Sequence, residues 1–269
     1  MRRSLGSKPS STPASKSNGL ATTHAGLVFM RRFQNALAKN ALLPRGSSIL
    51  IAVSGGSDSI ALLALLARLR NKHGFSLRAA HVNYGLRGRD SERDEILVQK
   101  LCAHWSIPLS VHHPNVQPKS NIEERLRIVR YHFFERLRKR YQLDCVVTAH
   151  TMNDVAETLL LNLIRGSGSR GLSPFQRLHP SMVRPLVHFR KSDIEHFLTT
   201  ENIPFRFDRS NRSKRFTRNR VRHELLPLLE TFNPRIIETL ARTATVLFQE
   251  EKVRGIAPTG ALEVDPLSW

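Results

Sequence analysis

Short runs of apolar and β-branched residues recur near 48–53, 77–82, 108–113 and 144–149, and longer amphipathic stretches separate them. Runs of that length read as buried strands, and the 3.6-residue periodicity between them reads as helix. Strands alternating with helices predict an α/β fold, a doubly wound parallel sheet with helices on both faces. Asn121 with Glu124, Thr151 with Asp154 and Ser192 with Glu195 each place an acid three residues after a capping side chain, which marks helix starts. Asn233 followed by Pro234 predicts one more start, with proline at the first helical position. No strand signal follows residue 189, so a small C-terminal helical extension is expected there. Residues 4–23 are rich in Ser, Thr, Ala and Gly without periodicity, whereas the helical pattern Phe33, Leu37, Leu42, Leu43 begins just after Met30. The expected organisation is therefore a disordered basic extension over 1–29, the α/β domain over 30–188, a basic helical extension over 189–254 and a loose tail over 255–269. No internal repeat is visible.

Charge adds a partner class to this picture. The 269 residues carry a formal net charge of +20, and such an excess attracts a polyanion by counterion release and long-range steering. Nucleic acid is the leading candidate. Part of the excess lies in residues 1–45, which hold Arg2, Arg3, Lys8, Lys16, Arg31, Arg32, Lys39 and Arg45 but no acid. The first 29 residues resemble an organellar transit peptide; the alternative is that Met30 is the true start. Cytoplasmic residence is expected, or a plastid or other organelle if that segment is a transit peptide. The two cysteines, Cys102 and Cys145, form no CxxC pair, so neither a disulfide framework nor a four-ligand zinc site is expected. His112 and His113 read as strand-end residues rather than metal ligands, and no apolar run is long enough to cross a membrane.

The chemistry concentrates where a strand meets a glycine turn. Ile49-Leu50-Ile51-Ala52-Val53 runs into Ser54-Gly55-Gly56-Ser57-Asp58-Ser59 and then into helical Ile60-Ala61-Leu62-Leu63. Glycines let the backbone approach an oxygen closely, while serine hydroxyls and free first-turn amides donate to it, so this geometry cradles a phosphate or pyrophosphate. The pattern lacks the lysine of a Walker loop and the spacing of GxGxxG. A plain Ser/Gly turn with a capping Asp is the competing structural reading.

This loop resembles the SGGxDS loop of the N-type ATP pyrophosphatases, which implies cleavage between the α and β phosphates of ATP. Further segments resemble the tRNA(Ile)-lysidine synthetase family: His81-Val82-Asn83-Tyr84-Gly85-Leu86-Arg87; the helix from Asn121 through Arg127, Arg130 and Tyr131; His150, Asp154, Glu157 and Thr158, continuing to Arg165-Gly166-Ser167-Gly168 and Gly171-Leu172; Arg184-Pro185-Leu186; Asp208, Ser210-Asn211; and Arg218-Asn219-Arg220-Val221-Arg222. The matches run in order from about Phe33 to Asn233. Four residues depart from the family pattern: Asn83 and Tyr84 replace Asp and His, Asn153 replaces the first of two adjacent acids, and Val155 replaces Gln.

The resemblance implies that Ser54, Gly55, Gly56, Ser57, Asp58, Ser59 and His81 bind ATP and that Asp58 holds Mg2+. It implies that Asp154 and Glu157 receive L-lysine. Their three-residue spacing puts them on one helix face near the carboxyl edge of the sheet, where a pair of acids suits a cationic amine. Thr151-x-x-Asp154 also reads as a capping box, which competes for Asp154. Arg127 and Arg130 are candidates for phosphate or transition-state charge neutralisation. Arg165, Arg218, Asn219, Arg220 and Arg222 are expected to contact tRNA, against the competing reading of a solvated basic helix. The implied reaction has the wobble cytidine of a tRNA(Ile) with anticodon CAU attack the α-phosphate through its 2-oxo oxygen. Pyrophosphate leaves, and the lysine ε-amine then displaces AMP, with Asp154 or Glu157 available to take its proton. Competing readings are a thiolase-like tRNA enzyme, which would need paired cysteines, and a degenerate RNA-binding module. The oligomeric state is open.

Overall fold

The computed structural model describes residues 22–115, 122–168, 172, 181–206 and 217–253. Its elements, in chain order, are α1 (His24–Lys39), β1 (Ser48–Ala52), α2 (Ser57–His73), β2 (Ser76–Val82), α3 (Arg89–His104), β3 (Leu109–His112), α4 (Ile122–Arg140), β4 (Cys145–Val147), α5 (Met152–Ile164) and β5 (Met182–Val183). Then follow α6 (Lys191–Thr200), α7 (Thr217–Arg220), a π-helical turn (Val221–Leu225), α8 (Leu226–Phe232) and α9 (Ile236–Val253). The strands form one parallel sheet in the order β3-β2-β1-β4-β5, with Ile51 beside Ala79 on one side and Val147 on the other. The doubly wound α/β reading therefore holds.

That order has a functional consequence. The chain winds outward from β1 to β2 and β3, then returns to lay β4 and β5 on the opposite side of β1. Where the winding reverses, between β1 and β4, open α/β sheets usually place their ligand crevice, outside the carboxyl ends of the strands. The loop after β1 and the start of α5 after β4 face each other across it.

Residues 60–66 of α2 are fully buried around the whole helix, because the helix lies between the sheet and an outer layer of α1 and α6. Leu50, Ala80 and Val146 face the other way and meet Phe133, Phe134 and Leu137 of α4. A third cluster joins α5 to α9 through Met152, Val155, Ala156, Leu160, Ala241, Ala244 and Phe248. The helical extension is thus built onto α5, the helix that carries the acidic pair. No helix among the described residues is long and apolar enough to cross a membrane.

Several expectations are corrected. β5 was not visible in the sequence, since two residues, Met182 and Val183, are too few to show a strand pattern. Helix α1 starts at His24, before the expected boundary at 30, and Phe29 is in the core. Its start is pinned from far away: Thr23 caps the Gly26 amide at 3.0 Å, and Glu201 accepts both the Thr23 amide and its hydroxyl while pairing with Arg68 at 2.5 Å. Helix α6 does not start at a Ser192 cap. It begins at Lys191, whose amide is accepted by the Asn153 side chain of α5 at 2.9 Å, and Glu195 instead accepts from the Ser57 hydroxyl at 3.3 Å. Asn233 accepts the Arg235 amide at 2.9 Å, and α9 begins at Ile236, two residues past Pro234. The Thr151–Asp154 capping box is present. Residues 1–21, the Asn121 cap, the 208–211 motif and the 255–269 tail lie outside the described residues.

Candidate active site

On the β1 side of the crevice the site is made of backbone. Ser57, Asp58 and Ser59 form the first turn of α2 behind Gly56, and no side chain caps that turn, so its amides remain available to an anion. The Ser59 hydroxyl does not point outward as expected. It accepts the Ser54 and Gly55 amides at 3.1 and 3.2 Å and donates to the Gly56 carbonyl at 3.0 Å, which knots the loop into its turn. Gly55 has a φ of +97°, and a Cβ there would meet the Asp94 Cβ at 3.1 Å. Only glycine combines that backbone angle with so close an approach.

Sequence reasoning missed the support behind this loop. Asp94 of α3 is buried against Gly55, with Arg87 on one carboxylate oxygen and Arg206 on the other, both at 2.6 Å. The Arg206 amide donates to the Gly55 carbonyl at 3.2 Å, so the chain beyond α6 adds a strand-like bridge to the loop. No local pattern marks a contact between residues so distant in sequence. His81 sits behind the loop as well: its buried Nδ1 donates to the carbonyl of Val53, the residue just before Ser54, at 2.8 Å. Burial holds this ring below the ordinary histidine range, so it braces the loop as a neutral group.

Asp58 projects into the crevice. Burial pushes its carboxyl up to about 6; Lys191, 3.8 Å away, pulls the other way, and Asp154 and Glu195 push it up again. A half-buried carboxylate held among other acids suits a divalent ion. Hard oxygen donors fit Mg2+, which usually takes one or two carboxylates and completes its shell with phosphate oxygens and water. The described residues offer no cluster of three or more His, Cys, Asp or Glu ligands, so such an ion would come with the nucleotide rather than sit in a protein cage.

On the β4 side the site is made of side chains. Asp154 divides its two oxygens. One accepts the Thr151 amide and hydroxyl at 2.9 and 3.0 Å, and the other faces Arg222 at 3.3 Å and Arg218 at 3.5 Å. The capping and charge readings of Asp154 therefore coexist. Burial opposes its ionisation, but His150, Arg218, the Thr151 amide and Arg222 outweigh that and keep the carboxyl below its ordinary range. Glu157 is 1% exposed and takes a two-pronged contact from Arg222, Nε at 2.6 Å and Nη2 at 2.8 Å, with Arg218 Nε at 3.3 Å. Arg222 sits in the π-helical turn, a local widening that recurs at functional positions. Lys191 links the two walls, its amide on the Asn153 side chain at 2.9 Å and its ammonium 3.8 Å from Asp58, so both belong to one site.

The remaining candidates separate. Arg127 and Arg130 lie with their guanidinium carbons 5.1 and 5.6 Å from the ring centre of Tyr131. Arg218 and Arg222 turn inward to the acids, while Arg220 points out and pairs with Glu224 at 3.1 Å. Asn219 is half-buried beside them. Arg165 is exposed at the far end of α5, roughly 16 Å along the helix axis from Asp154 at 1.5 Å per residue. All four departures from the family pattern have structural roles. Asn83 accepts the Gly85 amide at 2.9 Å and donates to Glu95 at 2.8 Å, and Tyr84 donates to the Leu126 carbonyl at 2.8 Å, tying the β2 loop to α4. Asn153 caps α6, and Val155 is buried in the α5–α9 cluster.

A parallel sheet whose first strand opens into a glycine turn and an uncapped helix is the architecture of a PP-loop nucleotide-binding protein, and the family model described as PP-loop domain matches residues 27–229. Relatives narrow the class further. The chain is 39% identical over 233 residues to a tRNA(Ile)-lysidine synthase from Gloeobacter violaceus, covering 84% of this chain and 70% of that one. It is 40% identical over 217 residues to one from Porphyromonas gingivalis, covering 78% and 45%. The chain belongs to the tRNA(Ile)-lysidine synthase family. It spans about half the length of most of these relatives, 47% of the one from Caldanaerobacter subterraneus for example. Among solved structures, a U34-tRNA thiolase from Methanococcus maripaludis with its [4Fe-4S] cluster superposes with a TM-score of 0.70 at 19% identity, covering 82% of this chain and 79% of that one, a likeness of fold.

Proposed function

We propose that this protein joins L-lysine to the wobble cytidine of a tRNA(Ile) with anticodon CAU, consuming ATP and releasing AMP and pyrophosphate. The observation that carries this reading is the meeting of an uncapped phosphate loop and an acidic pair in one crevice at the sheet's switch point. The amides of the first turn of α2 and the Ser57 hydroxyl receive the ATP phosphates, within the loop formed by Ser54, Gly55, Gly56 and Ser59 and braced by His81. Asp58 would hold Mg2+, which would neutralise phosphate charge. Arg127 and Arg130 face charge that develops as pyrophosphate leaves.

Asp154 and Glu157 receive the lysine ammonium. Arg222 and Arg218 occupy those carboxylates in the free protein, so an entering amine displaces at least one guanidinium. The released arginine then becomes available to a phosphate of the tRNA, whose other contacts are Asn219, Arg220 and, on a separate face, Arg165. The proton lost by the amine passes to the acid beside it.

The thiolase-like alternative is disfavoured by the thiols. Cys102 and Cys145 are unpaired and partly or fully buried, and burial pushes both up to about 12, far from a reactive thiolate. The test is lysine-dependent AMP release in the presence of tRNA(Ile). Asp58→Ala is expected to lower it about a thousand-fold with the fold intact. An Asp58→Ala protein that turned over normally would overturn the proposal, as would AMP release indifferent to lysine.

A further inference from the structure

Many of the arginines that are not fully exposed have an acid. Arg218 and Arg222 hold Asp154 and Glu157, Arg206 holds Asp94 and Asp90, Arg190 holds Glu238, and Arg68 holds Glu201. Arg184 departs from this pattern. It is 7% exposed, its Nε is buried without a hydrogen-bond partner, and among the described residues no carboxylate lies within ion-pairing distance of it, of Arg127 or of Arg130. Tyr131 joins the three: its hydroxyl is within hydrogen-bonding reach of Arg184, and its ring lies within 6 Å of the other two guanidiniums.

Placing such a group in the interior is unfavourable unless something compensates it. Burial pulls Arg184 below the ordinary arginine range; Tyr131 and Asp154 work against the repulsion of Arg127, but burial prevails. The neighbouring His150 ring supplies no negative charge in either of its protonation states. The position is set by the sheet. The Thr148 amide donates to the Val183 carbonyl at 3.0 Å, so Arg184 stands beside the carboxyl end of β4, at the edge where His150 and Asp154 stand. Its strand lies two places from β1, about 10 Å across the sheet, so the guanidinium belongs to the β5 side of this edge rather than to the loop after β1.

We propose that Arg184, Arg127, Arg130 and the Tyr131 hydroxyl form a second phosphate-binding site, distinct from the phosphate loop. Its ligand is a phosphate oxyanion, supplied either by the RNA backbone or by the pyrophosphate that ATP releases. The inference rests on the ATP- and tRNA-dependent reading given above. Three guanidiniums with free donors match a tetrahedral oxyanion, and a bound phosphate would supply the negative charge that the cluster lacks.

The competing account is that Arg184 only tethers β5 to α4. The full chain separates the two through Arg184→Met, Arg184→Lys and Arg127→Gln, each assayed for thermal stability and for binding of MgATP, inorganic pyrophosphate and tRNA. Removing an uncompensated charge should leave the melting temperature of Arg184→Met unchanged or raised. Affinity for pyrophosphate or for tRNA should fall about tenfold or more, with MgATP affinity kept and Arg184→Lys recovering part of the loss. A loss confined to tRNA, with the log–log salt slope reduced by about one, identifies the RNA backbone as the source. A loss confined to pyrophosphate identifies the ATP product. Should Arg184→Met fail to fold, Arg127→Gln on the half-buried face of α4 carries the same expectation. A destabilised Arg184→Met that binds both anions like the unaltered protein would overturn the proposal, and so would unchanged binding in Arg127→Gln. Absence of lysine-dependent AMP release in the unaltered protein would defeat the lysidine reading alone, because binding of pyrophosphate and tRNA is read directly.

Discussion

The two walls of the crevice are built by different means. The β1 wall is main chain: six consecutive residues, a glycine at φ +97° and an uncapped helix start present the amides themselves, and distant side chains only brace the loop from behind. The β4 wall is side chain: Asp154 and Glu157 lie in one helix, but Arg218 and Arg222 reach them from more than sixty positions later in the chain. Main-chain sites are set by local geometry and tolerate little change in residue type at the glycines. Side-chain sites are set by charge balance, so they can be emptied, reversed or exchanged for a ligand. The first wall suits a constant group, phosphate. The second suits a group that must enter and leave.

Breaking that balance should give the largest stability effect. Arg222→Ala leaves Glu157, 1% exposed, with only the longer contact from Arg218. Isolating a buried carboxylate of this kind costs about 3 kcal/mol after allowance for the partial exposure of Arg222. Urea unfolding of Arg222→Ala measures the loss, and adding Glu157→Gln should recover most of it. If Arg222→Ala were as stable as the unaltered protein, the β4 wall would not be a charge-balanced site, and the contrast with the β1 wall would fail.

A smaller effect is expected at the loop, and of a different kind. Gly55→Ala must hold a Cβ at a left-handed backbone angle and 3.1 Å from the Asp94 Cβ. The strain is about 1–2 kcal/mol, read as a shift in the urea midpoint. MgATP affinity should fall with it, because relief of the clash moves the amides that meet phosphate. Asp94→Ala in the same background should restore neither loss, because alanine keeps the Cβ that the new methyl meets and gives up the pairs with Arg87 and Arg206 that brace the loop.

The same contrast explains what was legible in the sequence. The strand, glycine turn and helix after β1 lie in one continuous stretch, so their hydrophobic run and residue types announced the fold and marked this loop as the candidate phosphate site. The Asp154 and Glu157 spacing was equally local. Asp94 and Arg206, which support the loop, were not legible, since their partnership depends on α3 and the chain beyond α6 meeting at Gly55. The basic run containing Arg218 and Arg222 read as an outward RNA-contacting surface. Charge density alone carries no information about direction, and only the packing of α9 against α5 brings the π-helical turn over the acids. The start of α1 was misplaced for a similar reason, because Glu201 anchors Thr23 from the opposite end of the fold.

The smallest expected effect bears on the residue that departs most visibly from the family pattern. Asn153 stands where relatives are expected to carry the first of two adjacent acids, yet its side-chain oxygen accepts the Lys191 amide at 2.9 Å and so caps α6. A carboxylate could accept that bond equally well, and Asn and Asp rank alike as helix caps. If the position serves only as a cap, Asn153→Ala should cost about 1 kcal/mol of stability, while Asn153→Asp should stay within about 0.5 kcal/mol and leave lysine-dependent turnover unchanged. If the position also contributes charge to the crevice, Asn153→Asp should alter the lysine KM without altering stability, because a further negative charge beside Asp154 would favour an entering ammonium. Lysine titration of that single variant therefore decides whether the β4 wall needs two carboxylates, Asp154 and Glu157, or three.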